Sequence, residues 1–271
     1  RGGPWSDLVT YGPSLEGLYG MKSLNGYSDT GQLMESAAEL DPTSVGYATL
    51  AVLAALYDRN RTGEGQFIEL AQGEAGFAGI AEAVIEYVWN GRELGPLGNT
   101  HRVLAPHGWY PCAGEDQWIT LACGSDDEWS RLATVAGHPE WAERSEWATV
   151  ADRRKARLDI DAVIGTWTIS QDKWELAQLL QDGGVACFPA LDQIEVVTDR
   201  QLSERRGHFE LHDDFTASQL LNGNAWHLSR AHPRLRMPAV ELGSHNVAVL
   251  GEYLGISEAE VRTLEADGVL T

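Results

Sequence analysis

The sequence has few cysteines, and they form no recognisable site. Cys112, Cys123 and Cys187 are the only three in 271 residues, and no C-x-x-C pair occurs. The odd count and wide spacing argue against a disulfide framework and against a structural zinc site. The histidines lack the H-E-x-x-H spacing as well, so we expect no metal. We expect Cys112 and Cys123 to fill an apolar core, in a protein of the reducing cytoplasm.

Long apolar runs and an excess of positive charge are also absent. No stretch is apolar over the roughly 20 residues that span a bilayer, and no signal peptide is evident, so we expect no membrane association. Forty acidic residues against 20 basic ones give a formal net charge of −20. Such a surface repels phosphate backbones, so we expect no nucleic acid partner. An anionic ligand would need a locally neutral or basic site. The chain begins with Arg1 rather than Met, and we expect it to be part of a longer protein.

Helical patterns alternate with short strand patterns along the chain, which predicts an α/β or α+β protein. Residues 42–57 are apolar almost all round, which predicts a buried helix. A Gly- and Pro-rich stretch at residues 92–110 predicts a linker or active-site loop. Six tryptophans in the middle of the chain predict a second core. Short strands are expected at residues 67–70, 118–121 and 185–188, and further helices near 74–88, 126–136, 151–168, 170–182, 190–206, 246–254 and 258–266.

Asp41 is the ionisable residue whose position most favours chemistry. It directly precedes Pro42 and the apolar helix, in the place of an N-cap residue. The unpaired N–H groups and the dipole at this end of a helix favour an ionised carboxylate and can stabilise charge that moves during a reaction. Such a carboxylate can attack a thioester and form a covalent acyl intermediate. From position alone, a plain helix cap remains the simpler explanation.

Two histidines, His101 and His107, lie in the Gly- and Pro-rich loop. We consider His101 a candidate for contact with a ligand, and a solvated loop histidine is the alternative. The turn Thr62-Gly63-Glu64-Gly65 is not a P-loop, because it lacks the G-x-x-x-x-G-K-[ST] pattern and precedes an expected strand instead of a helix.

A specific motif continues from Asp41. Arg59 follows it by 18 residues, and the motif reads Leu56-Tyr57-Asp58-Arg59-Asn60-Arg61-Thr62-Gly63-Glu64-Gly65-Gln66, then Ile68-Glu69-Leu70-Ala71 and Gln72-Gly73-Glu74-Ala75. This arrangement resembles the class III coenzyme A transferases, the family of formyl-CoA transferase, carnitine dehydratase and bile-acid-inducible proteins. Weaker matches extend the resemblance over nearly the whole chain, at Gly3-Pro4-Trp5, Tyr11–Glu16, Tyr110-Pro111-Cys112, Gly184-Val185 and Leu242–His245.

The resemblance implies an α/β fold with part of a Rossmann-like large domain, followed by a smaller α+β domain. Residues 1–95 would be the part of the large domain that carries the Asp motif, and residues 96–110 a linker. Residues 111–215 would form the small domain, and residues 216–271 would return to the large domain. The N-terminal half of the family's nucleotide-type fold is absent from this chain. We therefore expect either a missing N-terminal segment or the interlocked homodimer typical of the family.

The same resemblance implies transfer of coenzyme A from an acyl-CoA to a carboxylic acid. Asp41 would attack the thioester and carry the CoA as an aspartyl-CoA thioester, formed through mixed anhydrides. Tyr11 and the backbone at Thr10 and Gly12 would lie along the CoA, and Glu16 would contribute to the substrate pocket. No cofactor would be tightly bound, since acyl-CoA is itself a substrate. The loop at residues 99–108 lacks the glycine run of formyl-CoA transferase, which argues against formate and oxalate.

Two alternatives remain open from the sequence. The chain could be a non-catalytic domain or subunit of a fused or two-subunit transferase, in which the Asp motif persists for structural reasons. The 2-methylacyl-CoA racemase branch of the superfamily is the weaker alternative, because it needs a histidine upstream of the aspartate. The first histidine of this chain is His101.

Overall fold

The protein is described here by a computed structural model that covers residues 3–27, 39–205, 208–211, 219–231 and 240–270. The chain forms two compact units, residues 1–190 and residues 191–271. Among the described residues, no helix has the length and apolar character needed to cross a membrane. Within the same ranges, no group of three or more His, Cys, Asp or Glu side chains is arranged to hold a metal ion.

The first part of the larger unit is helical. The helix Leu40–Thr62 is by far the longest, and Gly63 ends it in a left-handed conformation that suits glycine. Gly91 ends the last helix of this part in the same way. The helices are α1 (Gly12–Leu18), α2 (Leu40–Thr62), α3 (Gln72–Phe77) and α4 (Ala81–Asn90), with short 3-10 turns at Met21–Leu24 and Ala78–Ile80.

The second part of the larger unit contains a three-stranded antiparallel sheet in the order β1-β2-β3. Tyr110 pairs with Ile119, and Leu121 pairs with Cys187. The elements are β1 (His107–Pro111), β2 (Trp118–Ala122), α5 (Asp126–Val135), α6 (Glu140–Glu143), α7 (Val150–Lys155), α8 (Arg157–Thr168), α9 (Lys173–Asp182) and β3 (Ala186–Pro189), with a 3-10 turn at Ser145–Trp147.

One face of this sheet and the helices around it enclose an apolar core. Side chains alternate along β2, so Ile119 and Leu121 are buried on the face that packs inward. The helices add buried residues at spacings of three and four, as expected for one face of a helix. The core residues on these helices are Trp129, Leu132, Ala133, Ile160, Ile164, Leu176, Ala177 and Leu180.

The tryptophan-rich second core is confirmed for four of the six predicted tryptophans. Trp129, Trp141 and Trp147 are buried in it, and Trp167 packs against it. Trp118 and Trp174 were expected there too, but both are exposed. Trp118 is the first residue of β2, on the face opposite Ile119, so its exposure follows from the alternation of the strand.

All three cysteines are free and buried, which confirms the prediction for Cys112 and Cys123. Burial raises the pKa of Cys123 to about 12 and that of Cys187 to about 11. These two thiols therefore stay protonated near neutral pH, and only a thiolate is a strong nucleophile. They act as apolar side chains of the core.

Arg153, in α7, is buried completely, and its guanidinium group is saturated with hydrogen bonds. Its Nε donates to the carbonyl oxygen of Ala105 at 2.9 Å. Nη1 donates to the carbonyl oxygens of Trp147 and Ala148, and Nη2 to that of Ser125. Nη2 also donates to Oδ1 of Asp126 at 2.9 Å. One side chain thus joins the loop before β1 to the first turns of α5 and α7.

The smaller unit contains four helices and a two-stranded antiparallel sheet among its described residues. The helices are α10 (Gln193–Thr198), α11 (Arg200–Glu204), α12 (Asn246–Leu254) and α13 (Glu258–Ala266). Strand β4 (His208–Leu211) pairs with β5 (Gln219–Asn222). The capping box of Ser257 and Glu260 that the sequence predicts is confirmed at the start of α13.

Several sequence-based expectations about the secondary structure are wrong in detail. Asp41 is not an N-cap residue, since Glu39 holds that position and α2 begins at Leu40. The stretch at residues 67–70 has no regular secondary structure and is not a strand, because none of the described strands pairs with it. The irregular loop ends at Pro106, where β1 follows because its residues pair with β2.

Helix α2 itself is confirmed, but its burial is not. Leu50 is 67% exposed and Leu53 is 59% exposed, and Val45, Tyr47, Val52, Leu56 and Tyr57 are exposed as well. An apolar helix is stable only when another surface covers it. The sequence therefore indicates a buried environment that the described residues of this chain do not provide.

A mixed α/β fold is confirmed, whereas the finer description is not tested. Both sheets in the described residues are antiparallel. The Rossmann-like large domain, the domain boundaries and the interlocked dimer stay predictions. The extended segment predicted between the helix near residue 206 and residue 240 contains β4 and β5, and residues 207, 212–218 and 232–239 of it lie outside the described residues.

We expect Arg153→Met to destabilise the protein by about 3–5 kcal/mol, because its removal leaves several buried carbonyl oxygens without a donor. The free energy of unfolding from urea denaturation measures this change. Lys155→Met is the matched control, since Lys155 is exposed and pairs with Asp152 on the same helix. We expect the control to change stability by less than about 0.5 kcal/mol. Equal effects of the two substitutions would contradict the role of Arg153.

Candidate functional site

Three helices meet at the N-terminus of α2. Glu16 of α1 is fully buried, and its Oε1 accepts a hydrogen bond of 2.6 Å from the backbone N–H of Glu39. Glu39 is the N-cap residue of α2 and has no side-chain cap of its own. A carboxylate from α1 therefore satisfies one of the free N–H groups at this helix end, where the dipole also favours negative charge.

Two glycines of α3 allow close packing at this place. A Cβ atom at Gly76 would overlap the side chain of Leu40, the first residue of α2. A Cβ atom at Gly73 would overlap the ring of Tyr19, which follows α1. Leu40 is fully buried as a result. Helices α1, α2 and α3 thus approach one another closely, because α3 presents no side chain at these two positions.

Asp41 is the second residue of α2 and lies on its exposed side. Its Oδ1 accepts a hydrogen bond of 2.8 Å from Nε2 of Gln72, the first residue of α3. Pro42 has no N–H, so the first turn has one donor fewer to satisfy. One carboxylate oxygen is thus held by a neutral amide, while the side chain remains open to a ligand.

Ser44 lies one turn further along α2. Its side chain is buried, and its Oγ has no hydrogen-bond partner in the described part of the structure. Buried hydroxyl groups in proteins are normally paired, so this one stands out. It belongs to the same first turns of the helix as Asp41.

The residues predicted to lie along CoA are placed at the start of α1. Tyr11 is the N-cap residue of this helix, and its side chain is 82% exposed. Thr10 precedes it outside any helix or strand, and Gly12 is the first helical residue. They belong to the same helix as Glu16, which contacts the N-terminus of α2. The structure therefore brings Tyr11, Glu16 and Asp41 onto two helices that touch.

His101 does not join this group. It lies in the loop before β1 and lines a separate cavity, with none of the residues of α1 or α2 in its wall. The predicted site residues therefore lie in two places. Thr10, Tyr11, Gly12, Glu16 and Asp41 lie at α1 and α2, and His101 lies at the separate cavity. Their roles in binding or catalysis stay predictions.

Gln72 and Ser44 are the residues that sequence reasoning missed. Gln72 belongs to the recognised motif, but 31 residues separate it from Asp41, and no local pattern indicates that the two side chains meet. Ser44 is unremarkable in sequence, since serine is common in first turns of helices. Only the burial of its oxygen draws attention to it.

Comparison with known proteins agrees with the motif. The sequence profile described as CoA-transferase family III matches residues 1–246. The chain is 25% identical to succinyl-CoA–D-citramalate CoA-transferase of Chloroflexus aurantiacus over 268 residues, which are 99% of this chain and 66% of that protein. It is 29% identical to succinate–glutarate CoA-transferase of Agrobacterium fabrum over 252 residues, 92% of this chain and 62% of that protein.

A solved structure is similar as well. A CAIB/BAIF family protein from Brucella suis superimposes with a TM-score of 0.81 at 25% identity, over 93% of this chain and 65% of that one. The chain thus spans a little under two thirds of the length of these relatives. Because the profile matches most of its residues, the chain belongs to CoA-transferase family III.

Proposed function

We propose that the protein transfers coenzyme A from an acyl-CoA thioester to a carboxylic acid, in the cytoplasm, with Asp41 as the nucleophile. The observation that carries this proposal is the exposed carboxylate of Asp41 at the N-terminus of α2, with one oxygen held by Gln72. Membership of CoA-transferase family III supports the transfer of CoA in general. The arrangement of the carboxylate supports a covalent route.

In the proposed reaction, the free oxygen of Asp41 attacks the thioester carbonyl, and the C–S bond breaks to release the CoA thiolate. The product is a mixed anhydride of the acyl group and Asp41. The thiolate then attacks the carbonyl carbon of Asp41, which releases the first carboxylate and leaves an aspartyl-CoA thioester. An acceptor carboxylate repeats the two steps in reverse, so that the acceptor leaves as its CoA thioester and Asp41 is regenerated.

Gln72 is a positioning residue in this proposal. One hydrogen bond from its amide Nε2 orients the carboxylate of Asp41 through Oδ1 and leaves the other oxygen for attack. We propose that Tyr11 and the backbone of Thr10 and Gly12 lie along the CoA, since they begin the helix that contacts α2. Glu16 is buried, and one of its contacts is with the backbone N–H of Glu39 at the start of α2. Any contact of Glu16 with substrate remains part of the proposal.

The acceptor and donor are proposed to be small carboxylic acids and their CoA thioesters. The relatives from Chloroflexus aurantiacus and Agrobacterium fabrum are named for succinyl-CoA, D-citramalate, succinate and glutarate. All of these acids carry two carboxyl groups. We therefore propose succinyl-CoA and succinate as the first donor and acceptor to assay.

We also propose that another polypeptide surface covers α2, either a second copy of this chain or a segment that the longer relatives possess. The exposed apolar side chains of α2 support this, since a large exposed apolar patch marks an interaction surface. The length of the relatives supports it too, because about a third of each lies outside the matched region.

Asp41→Asn is expected to lower CoA transfer at least about a thousandfold, because the amide keeps the shape of the side chain but is no nucleophile. Transfer from succinyl-CoA is measured by chromatography of the CoA thioesters. The matched control is Asp58→Asn, an exposed aspartate near the other end of α2, which we expect to retain full activity. Circular dichroism should show unchanged folding for both variants.

Hydroxylamine provides an independent test of the covalent step. Incubation with acyl-CoA and hydroxylamine should convert Asp41 to a hydroxamate, which peptide mass spectrometry detects. Full turnover by Asp41→Asn would show that Asp41 is no nucleophile. Absence of both turnover and modification in the wild-type protein would assign the chain to the non-catalytic alternative.

Gln72→Leu is expected to lower kcat roughly ten- to a hundredfold, since a hydrogen bond to a charged group contributes roughly 1.5–3 kcal/mol. KM should change by less than about twofold if the residue acts only by orienting Asp41. Gln72→Glu places two carboxylates together, so its residual activity should rise as the pH falls and the new glutamate becomes protonated.

The matched control for Gln72 is Gln178→Leu. Gln178 donates through Nε2 to Oδ1 of Asp182 at 2.8 Å, which is the same amide–carboxylate contact outside the site. This control should leave kcat and KM unchanged. A Gln72→Glu variant with the same pH profile as the wild type would contradict the positioning role.

The 271-residue chain is expected to self-associate through α2, and Leu50→Glu together with Leu53→Glu should shift it to a monomer. Charges on the apolar surface would oppose its contact with any other surface. Sedimentation velocity measures the change. Leu179→Glu, at a comparably exposed leucine of α9, is the control and should not alter association. If the wild-type chain is monomeric and binds no hydrophobic dye, the proposal that another polypeptide surface covers α2 would be refuted.

A further inference from the structure

A cavity of about 240 Å³ opens between the loop at residues 97–107 and helices α7 and α8. It is far larger than the roughly 10–15 Å³ that one water molecule needs. Four arginines line it. Arg153 is the buried one described above, and the other three are Arg102 on the loop, Arg154 in α7, and Arg157 at the start of α8. All three belong to the larger unit, and all of the lining residues are described.

These arginines lack the ion pairs that their neighbours have. Arg153 is saturated by carbonyl groups and Asp126, and Lys155 pairs with Asp152. Across the described ranges, no carboxylate forms a salt bridge with Arg102, Arg154 or Arg157. The chain has 40 acidic residues for 20 basic ones. Three unpaired guanidinium groups therefore make this cavity locally positive, although the protein as a whole is strongly negative.

Two imidazole rings complete the wall, 5.0 Å apart between centroids. Nδ1 of His101 accepts hydrogen bonds from the backbone N–H groups of Val103 and Leu104, at 3.2 and 3.1 Å. The ring proton of His101 therefore sits on Nε2, which is a donor. Nδ1 of His107 donates to the carbonyl oxygen of Asn99, since a carbonyl group can only accept.

One carboxylate, Asp161, also lines the cavity. It accepts a hydrogen bond of 2.7 Å from the hydroxyl of Tyr110. Burial raises the pKa of this carboxyl group, against the opposing effects of that hydrogen bond and of the positive charges of Arg157 and His107. A single carboxylate beside the three guanidinium groups leaves an excess of positive charge in the wall. Burial lowers the pKa of His101, and the positive charges of His107, Arg102 and Arg154 lower it further, against a weaker opposing effect of Glu82. Positive charges gathered around one cavity also attract an anion.

We propose that this cavity is a binding site for an oxyanion, a carboxylate or a phosphate group, held by Arg102, Arg154 and Arg157. Guanidinium groups bind both kinds of oxyanion through two parallel hydrogen bonds, which a lysine cannot provide. A multiply charged ligand needs a basic site on an acidic protein, and this cavity supplies one. Anion binding at this cavity does not depend on the proposed function. The assignment of the anion to an acyl-CoA or to a carboxylic acid substrate does rest on the proposed function.

Calorimetric titration of the wild-type chain at low ionic strength tests the proposal. The probes are inorganic phosphate, succinate and adenosine 3′,5′-bisphosphate. At least one should bind with a Kd below about 1 mM. The variant Arg154→Gln with Arg157→Gln should weaken that binding at least about tenfold, because two charge-assisted contacts are lost. Lys155→Gln is the matched control, on the same segment but outside the cavity, and should keep the Kd within about twofold.

The pattern across the probes identifies the source of the anion. Binding of succinate alone would assign the site to a carboxylic acid, and binding of the bisphosphate alone would assign it to the nucleotide end of CoA. Either pattern supports the proposal if the double variant loses it. Failure of all three probes to bind, or equal binding by the double variant, overturns the proposal.

Phenylglyoxal modification of the wild-type chain gives a measurement that needs no variant. Arg154 and Arg157 are exposed and should react, and the probe that binds should protect both, as peptide mass spectrometry would show. Unprotected modification in the presence of saturating ligand overturns the assignment. A chain that binds the anion but transfers no CoA would contradict the proposed function alone. If the wild-type chain binds none of the probes and the double variant transfers CoA with an unchanged KM, the result would contradict the proposed anion site and leave the proposed function intact.

Discussion

The contact between Glu16 and the backbone N–H of Glu39 determines where α2 begins. A helix end leaves its first N–H groups without partners, and a carboxylate from another helix satisfies one of them here. Since α2 then begins at Leu40, Asp41 falls in its first turn with its side chain on the exposed surface. The placement of the candidate nucleophile therefore depends on a buried residue of α1.

The motif around Asp41 could be recognised from the sequence because it is local. The existence of helix α2 and four of the six tryptophans of the second core were also predicted correctly, since periodicity and composition are local signals. The helix continues to Thr62, beyond its predicted end near residue 57. The contacts of Glu16 with Glu39 and of Gln72 with Asp41 join residues that are 23 and 31 positions apart. No pattern of neighbouring residues indicates such contacts. For this reason the sequence suggested that Asp41 caps the helix, when Glu16 fulfils that task.

The errors about burial and strands have a different cause. The apolar character of α2 correctly indicates that this helix needs a cover, but a sequence does not indicate which polypeptide supplies it. The stretch Phe67–Leu70 has the composition of a strand, and a strand exists only when a neighbour accepts and donates its backbone hydrogen bonds. In both cases the sequence pattern indicates a neighbour, a surface that covers α2 or a strand that pairs with residues 67–70. The part of the chain that the structure describes does not provide that neighbour.

The charges of the larger unit are distributed in a way that suits a carboxylate nucleophile. An arginine beside Asp41 would occupy its oxygens and reduce the electron density available for attack, whereas the neutral amide of Gln72 orients one oxygen without neutralising the group. The unpaired arginines lie instead in the cavity beside β1, whose wall includes no residue of α2. Under the two proposals, the arginines that attract an anionic ligand and the carboxylate of Asp41 that reacts with it lie in different elements. The proposed anion site can therefore act without an arginine that pairs with Asp41.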